Sequence, residues 1–433
     1  MIEKTRHIPD GKKERKNQPV SHYLEAEYLY FPTTDLRCPA GESCVIDGQY
    51  VKVGELIGTR HGGFFDQPIH STVSGYVVGF EKKVHSSGQT VDCLIVKNDK
   101  KYVLHESCVS RTDEEIAALT KEDYIQIIKD SGLSGLGGSG FPTYVKLETK
   151  NKIDVIVANG VECEPHLISD YKLILERAHR IIEGLTYAMR AQGAKRGVVA
   201  VKKKYPELYE VLENARHSFM DFDIEIKRVG NHYPQGWEIE TIKAATGIEV
   251  PVGKMPSEYG VCVFNVATLY GFYRAVKRRM PITERFVTIS GNGIKTERNF
   301  SVRIGTPVRD LIEMCGGYTE NDKNKVVICG GPMMGTNLQN DDLIVTKTVT
   351  SLIVLDEEPI KTEPCIHCAS CVYSCPVDLQ PVQIMNAYKE RDKDALAVLN
   401  VNKCIECGLC SFTCPSKIHL TETMRQAKRF IRK

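Results

Sequence analysis

The stretch CIHCASCVYSCP at residues 365–376 is matched in spacing by CIECGLCSFTCP at residues 404–415, and no other feature narrows the possible folds as far. Each block reads C-x2-C-x2-C-x3-C-P. Thiolates so spaced can converge on one iron–sulfur cube. Zinc, the first rival, usually takes two short C-x2-C knuckles across a longer gap, whereas three cysteines at successive x2 spacing wrap one face of a cubic cluster. Disulfides fit badly, because no charged, apolar, small-residue leader opens the sequence to direct it to an oxidising compartment. The spacing therefore points to two [4Fe–4S] clusters in one module. In two-cluster ferredoxins the fourth cysteine of each block ligates the other cluster. The expected ligand sets are Cys365, Cys368, Cys371 with Cys414, and Cys404, Cys407, Cys410 with Cys375. The intervening PVQIMNAYKERDKDALAVLN has apolar residues at helical intervals. Two clusters side by side suit electron relay better than a purely structural role.

A chain of 433 residues has room for roughly two to four domains with full cores. Net charge is only +2, and no basic block is interleaved with aromatic residues, so nucleic acid is not an expected partner. No apolar run reaches the length of a membrane span, about 18 residues. The expectation is a cytoplasmic protein, soluble or peripheral on the cytoplasmic face of a membrane, with residues 1–24 as a charged, solvated leader. Eight further cysteines are scattered singly and read as reduced core residues. The closest two, Cys38 and Cys44, are spaced so that a metal site or a redox pair stays open.

Along the chain, residues 25–110 alternate short apolar runs with glycine turns, as in VKVGELIG and STVSGYVVGF, which predicts a small β sandwich or barrel. PIHSTVSGYV resembles the hairpin of biotinyl/lipoyl-like barrel-sandwich domains, but the expected tip at Ser74-Gly75 has no lysine, so a swinging-arm carrier is not expected. Residues 111–284 alternate helix and strand. EDYIQIIKDSGLSGLGGSGFPTYVKL leads from a helix through glycines into a second helix near Pro142. Gly135, Gly137 and Gly140 fit G-x-G-x-x-G formally, yet a dinucleotide fingerprint needs a strand before the glycines. Two readings of the loop stay open: a flexible connector, or a backbone that approaches a phosphate near a helix N-terminus. IDVIVANG then ends in NGVECEPHL, carrying Asn159, Glu162 and Glu164 to the carboxyl edge where α/β folds collect ligands. Gly236 and Glu238 precede another helix, and Asn265 and Thr268 stand at a strand-to-helix passage. Each alone could be a helix cap. Together these loops suggest one pocket. Residues 285–355 read as a small β-grasp-like module, with GGPMMG as a tight turn or interdomain contact, and residues 356–433 hold both cysteine blocks.

In this order, GLGGSGFPTYVKL, NGVECEPHLISDYKLILE, YPQGWE, FNVATLY, RIGTPVRDLIEMCGG, GGPMMG and the two cysteine blocks resemble the RnfC family of electron-transport subunits. Through that family they resemble the flavin-bearing, NADH-oxidising subunit of respiratory complex I. The resemblance implies a multidomain α/β and α+β protein: a barrel-sandwich domain, an FMN/NADH-binding domain, an SLBB β-grasp domain and a two-cluster ferredoxin-like domain. It implies FMN held by Gly135, Gly137, Gly138 and Gly140, with Lys146 nearby. Asn159, Glu162, Asn265 and Thr268 would contact the flavin, Phe141, Glu164 and Glu238 would lie toward the nicotinamide nucleotide, and Gly236 would belong to the same cofactor site. The implied activity is oxidation of NADH, with flavin converting a two-electron hydride into single electrons for the clusters and with no dedicated proton-transfer residue. The implied partner is a redox protein, either membrane Rnf subunits or a soluble reductase as for the proline-reductase-associated protein PrdC. A relay without flavin, or reverse flow from ferredoxin-type donors to NAD, are the alternatives. Three departures stand out: Trp237 replaces a small residue in the family's YPQGGE, His367 and Ala369 replace the Arg and Gly of CIRCGRC, and the early GGIHP and QHIGAP elements are absent.

Overall fold

The computed structural model describes residues 8–13, 15–321, 323–358 and 360–432, so residues 1–7 and 14 of the expected leader lie outside the described residues. Four apolar runs, Val155–Asn159, Arg196–Lys202, Asp223–Val229 and Val261–Asn265, form one parallel sheet. Its two central strands are covered on both faces, which is why they are near-continuous Val, Ile and Ala rather than alternating. The order across the sheet is Asp223–Val229, Arg196–Lys202, Val155–Asn159, Val261–Asn265. The strand earliest in sequence is therefore internal, and the loops leaving it and Val261–Asn265 diverge. Such a switch point opens a crevice at the carboxyl ends of the strands. The register sets Asn159 opposite Asn265 there.

Helices Ser169–Gln192 and Val266–Arg278 cover one face, burying Ile174, Leu185, Leu269 and Phe272. Their backbones meet at Gly184, where an added Cβ would stand 1.9 Å from the Leu269 carbonyl oxygen. No other residue type fits that crossing. Glu238–Thr246 packs Ile242 and Ala245 on the opposite face against Val157, Val198 and Val263.

Ahead of this domain lie two small antiparallel sheets, one of four strands (Tyr28–Pro32, Thr90–Asn98, Gly75–Val84, Tyr50–Val51) and one of three (Ala40–Ser43, Leu56–His61, Asp66–His70). They enclose Leu29, Phe31, Val51, Ile57, Val77 and Val96, the expected barrel-sandwich core. The hairpin tip expected at Ser74-Gly75 is an interior corner. Ser71, Thr72 and Ser74 are buried, and their hydroxyls donate to Val73 O, Ile304 O and Asp99 Oδ1. Cys38 is buried in the main core and Cys44 is exposed, and both are free thiols.

The β-grasp module is a six-stranded sheet with helix Val308–Met314. One edge strand, Val20–Tyr23, comes from the expected leader and pairs in parallel with Arg298–Arg303. The leader's solvation is also corrected by Lys12 and Arg15, each only 2% exposed. Their charges meet internal acceptors, Lys12 Nζ donating to Glu162 O at 2.9 Å and Arg15 pairing with Glu297. A cationic stretch reads as solvated in sequence because the carboxylates it answers are more than a hundred residues away.

In the C-terminal module the helix-like stretch between the cysteine blocks forms two helices, Pro381–Lys389 and Lys393–Val398. Arg391 takes φ +60° at the break, and Asp392 caps the second helix by accepting from Ala395 N at 2.8 Å. Among the described residues no helix is long and apolar enough to cross a membrane.

Candidate functional site

Helix Lys121–Asp130 delivers the chain to a loop that closes on itself before helix Thr143–Leu147. Gly135 N donates to Phe141 O (2.8 Å), Gly140 N to Gly135 O (3.0 Å) and Thr143 N to Leu133 O (2.9 Å). The loop is then pinned from outside. Thr268 Oγ1 accepts from Leu136 N at 3.0 Å, Arg285 Nη2 donates to Leu136 O at 2.8 Å, and Arg37 Nε donates to Ser139 O at 3.1 Å. What remains free is the exposed tip, where the amides of Gly137, Gly138 and Ser139 have no hydrogen-bond partner among the described residues. Gly138 has φ +99°, and a Cβ there would meet nothing within 4 Å. Successive free amides in a glycine turn form the concavity that takes phosphate oxygens. That chemistry fits the phosphate of FMN.

At the crevice, Asn265 caps Val266–Arg278 by accepting from Ala267 N at 2.8 Å and donates to Asp170 Oδ2 at 2.7 Å. A Cβ on Gly137 would approach the Asn265 side chain to 3.1 Å, so the glycine loop and the sheet edge are in contact. Asn159 Nδ2 donates to Gly236 O at 3.0 Å, and its Oδ1 accepts from Val161 N. Glu162 Oε1 accepts from Ser169 Oγ and Asp170 N at 3.0 and 3.1 Å. Burial, then the neighbouring Glu162, push the Asp170 carboxyl up, while Lys12 and Arg285 oppose that rise. Lys146 Nζ lies 3.2 Å from Glu238 Oε1 and 3.1 Å from Val263 O, at the same edge. Phe141 is half-buried beneath the Arg37 guanidinium, 5.8 Å from its ring centre. The structure thus gathers the glycine loop, Lys146, Asn159, Glu162, Gly236, Glu238, Asn265 and Thr268 around one crevice. Thr268 Oγ1 and Asn265 Oδ1 hold backbone amides in place.

Glu164, expected toward the nicotinamide nucleotide, is held by two neighbouring loops. Its Oε2 accepts from Met333 N at 3.1 Å and its Oε1 from Tyr233 Oη at 3.3 Å, in the seam between the sheet domain and the 330–335 turn. A Cβ on Gly331 would fall 2.0 Å from Glu164 Oε2, so only glycine admits the carboxylate there. Burial pushes this carboxyl up to about 7. A carboxyl raised from its ordinary value near 4.5 binds its proton more tightly in the folded state, so stability is lost as pH climbs from that value to the raised one. Glu164→Gln should remove that slope and stabilise the fold above pH 7 by up to about 3 kcal/mol. Its oxygen can keep the Met333 amide while its NH2 faces Tyr233 Oη. Thermal melts at pH 5 and 8 check this, and equal pH slopes for both proteins would refute it.

The single Tyr233 hydroxyl proton is shared between Glu164 and Cys407 O, the latter at 2.8 Å, and the ring packs with Cys407, Leu409, Cys163 and Met333. A Cβ on Gly408 would meet Met333 O at 2.7 Å. The second cysteine block is therefore pressed against the loops of the crevice. One cavity there is lined by Cys404, Cys407, Cys410 and Cys375, and a second by Cys365, Cys368, Cys371 and Cys414. Each takes its fourth thiol from the other block. The chain wraps both cavities with left-handed residues, His367 and Ala369 in one block and Glu406 and Gly408 in the other. Amides of Leu379 and Glu406 point at Cys375 Sγ and Cys404 Sγ, at 3.3 and 3.4 Å. Four thiols with amide donors to sulfur suit an iron–sulfur cube.

Sequence reasoning missed Tyr233, Asp170, Lys12 and Arg285. Tyr233 lies in YPQGWE and Arg285 opens the apolar run RFVTISG, where an arginine is out of place unless paired. Lys12 carried no signal.

Comparison with known proteins yields four family models in chain order: the RnfC barrel sandwich hybrid domain (residues 2–101), the Nuo51 FMN-binding domain (128–274), the SLBB domain (286–337) and a 4Fe-4S dicluster domain (359–422). The N-terminal match holds although GGIHP and QHIGAP are absent. A relative from Acetobacterium woodii, one subunit of its Na+-translocating ferredoxin:NAD+ oxidoreductase complex, is 33% identical over 397 residues, 89% of this chain and 86% of its own. A subunit of the proton-translocating ferredoxin:NAD+ oxidoreductase complex of Clostridium ljungdahlii is 32% identical, over 87% of this chain and 81% of its own. A subunit of the ion-translocating oxidoreductase complex of Haemophilus influenzae strain PittEE is 32% identical, but this chain covers 58% of it. Among solved structures, an NAD+-reducing [NiFe]-hydrogenase in the H2-reduced state shares the fold, with TM-score 0.52 and 18% identity over 73% of this chain and 61% of that one.

Proposed function

This chain belongs to the RnfC family of ferredoxin:NAD+ oxidoreductase subunits, and from that premise we propose that it oxidises NADH at the sheet-edge crevice and sends electrons outward through two cluster sites. The partner in this reading is an Rnf-type complex, of the kind whose subunits the relatives are named as. Membership in the family carries an oxidoreductase role in NADH-linked electron transport, with an FMN-binding domain and a 4Fe-4S domain. The single observation that best supports a continuous path is the Tyr233 hydroxyl on the Cys407 carbonyl at 2.8 Å. It ties a crevice loop to a ligand loop.

The chemistry that bound flavin supplies is acceptance of a hydride and release of single electrons. The residues supply placement. The free amides of Gly137, Gly138 and Ser139 face a phosphate, and Lys146 holds a positive charge at the strand ends between Val263 O and Glu238. Glu238 stands at the rim on the first turn of its helix, where a second carboxylate oxygen remains to accept from ribose hydroxyls or a carboxamide. Trp237, immediately before it, is the N-cap of that helix. The cavity of Cys404, Cys407, Cys410 and Cys375 is the nearer relay site and that of Cys365, Cys368, Cys371 and Cys414 the farther, where exposed Ile366 and Cys368 face outward.

Anaerobically purified protein should contain flavin that NADH bleaches in a stopped-flow experiment. Absence of flavin after anaerobic reconstitution would leave only an iron–sulfur relay. Glu238→Gln should retain flavin and iron and slow NADH-driven bleaching roughly ten- to hundredfold, the effect of losing a charge-assisted hydrogen bond of about 1.5–3 kcal/mol. Dithionite reduction should be unchanged. Stability should barely move, because the Lys146–Glu238 pair is more than a third exposed on both sides and such pairs contribute about 0–1 kcal/mol.

A further inference from the structure

The glycine loop has a second side. Gly137 is turned to Asn265, but Gly140 is turned to Thr348 of the β-grasp module, where a Cβ would come within 3.0 Å of the threonine methyl. On that side lies a cavity of about 340 Å³, walled by the barrel-sandwich domain, residues 138–140 of the loop and the β-grasp module. Its volume falls within the range of small-molecule sites, roughly 300–1,000 Å³. None of Lys146, Asn159, Glu162, Glu238 or Asn265 lines it.

Its charge is one-sided. Arg37, Arg60 and Lys347 line it against one carboxylate, Asp35. Asp35 is already satisfied: Oδ2 accepts from Arg60 Nη1 at 3.0 Å and Oδ1 accepts the amides of Arg37 and Cys38, each at 2.8 Å. Lys347 Nζ donates to the Gly132 carbonyl at 2.7 Å, which uses one of three ammonium protons and involves no carboxylate. Arg60 is 8% exposed and its Nε has no partner, and the buried Nδ1 of His70 has none either. Burial and then the Arg60 guanidinium push Lys347 down to about 7. Three cations against one carboxylate, with Arg60 buried and Lys347 half-buried, leave an excess of positive charge that favours an anion. Hydroxyls of Ser86, Ser87, Thr346 and Thr348 share the cavity, over an apolar floor that includes Ile69 and Ile304.

We propose that this seam binds a small phosphate ester with a polyol body, between Gly140 and Thr348 and away from Asn159 and Asn265 of the sheet edge. Its phosphate lies among Lys347, Arg60 and Arg37, and its hydroxyls meet the serine and threonine wall. The ligand joins three modules at the loop that positions the flavin, so its binding stiffens that loop.

The test uses the full-length, flavin-loaded protein, with ribose 5-phosphate and inorganic phosphate as probes in isothermal titration calorimetry. Saturable binding of ribose 5-phosphate at one site per chain is expected, at least tenfold tighter than inorganic phosphate. Equal affinity for the two would show that only the anion is recognised and would overturn the polyol assignment. Lys347→Gln keeps a donor for the Gly132 carbonyl and removes the charge, and should weaken ribose 5-phosphate more than tenfold while flavin content and NADH bleaching stay unchanged. Should that variant not fold, the pair Asp35→Asn with Arg60→Gln, which removes both charges together, should show the same loss. No saturable binding to the wild-type chain, or undiminished binding to a folded variant, would overturn the proposal. Loss of flavin from a folded variant would overturn it too, by assigning the cavity to the flavin.

Discussion

Cys375→Ser should destroy the cluster of the second block although the residue belongs to the first. Cys375 lines the cavity of Cys404, Cys407 and Cys410, the one pressed against Tyr233 and Met333. Iron should fall from about eight to about four atoms per chain, as expected for loss of one cube of two. Because this is the nearer relay site, NADH should still bleach the flavin, but electron delivery to an external one-electron acceptor should drop by about a hundredfold or more, an effect of at least ~2.7 kcal/mol in the barrier. Cys414→Ser is the mirror case. It should remove the farther cluster and leave the nearer one reducible by NADH, visible by electron paramagnetic resonance. If Cys375→Ser instead spared the signal of the nearer cluster, the pairing of thiols across blocks would be wrong.

Gly138→Val should abolish flavin retention in a protein that otherwise folds. The position has φ +99°, where a β-branched residue is strained by roughly 1–2 kcal/mol, and the strain would be relieved by rotating the very amides that face the phosphate. Space is not the obstacle, since a Cβ there meets nothing within 4 Å. Loss of about 3 kcal/mol of charge-assisted amide contacts corresponds to about a hundredfold weaker flavin binding. Iron content and melting temperature should change little. Flavin fluorescence quenching on titration of apoprotein measures the effect, and wild-type affinity would show that the loop tip does not hold the phosphate.

Most of what the sequence disclosed was local. Cysteine spacing announced its module because ligand geometry is written within a dozen residues, and the apolar runs of Val155–Asn159 and Arg196–Lys202 announced strands because both of their faces are covered. The roles of single polar residues were less legible. Thr268 reads equally well as a ligand contact or a clamp, and only the 3.0 Å bond from Leu136 N separates the two. Glu164 occupies a motif position implying contact with nucleotide, yet the glycine that admits it to the interior, Gly331, is 167 residues downstream. Lys12 is the extreme case. Its surroundings of Glu162, Glu164 and Asp170 exist only once the chain has folded back on itself.

The parallel pairing of Val20–Tyr23 with Arg298–Arg303 makes the β-grasp module discontinuous in the chain. Its outermost strand is synthesised first and waits for nearly three hundred residues before its partner exists. Everything between the two is, topologically, an insertion inside that module rather than a set of domains preceding it. A shortened chain beginning at residue 25 would keep every flavin-loop and cysteine residue, yet it would expose Arg298–Arg303 as a bare edge with an unpaired ladder, the kind of surface that recruits a second chain. For this protein the seemingly expendable end is the closing stitch, and dissection into modules has to begin upstream of Val20.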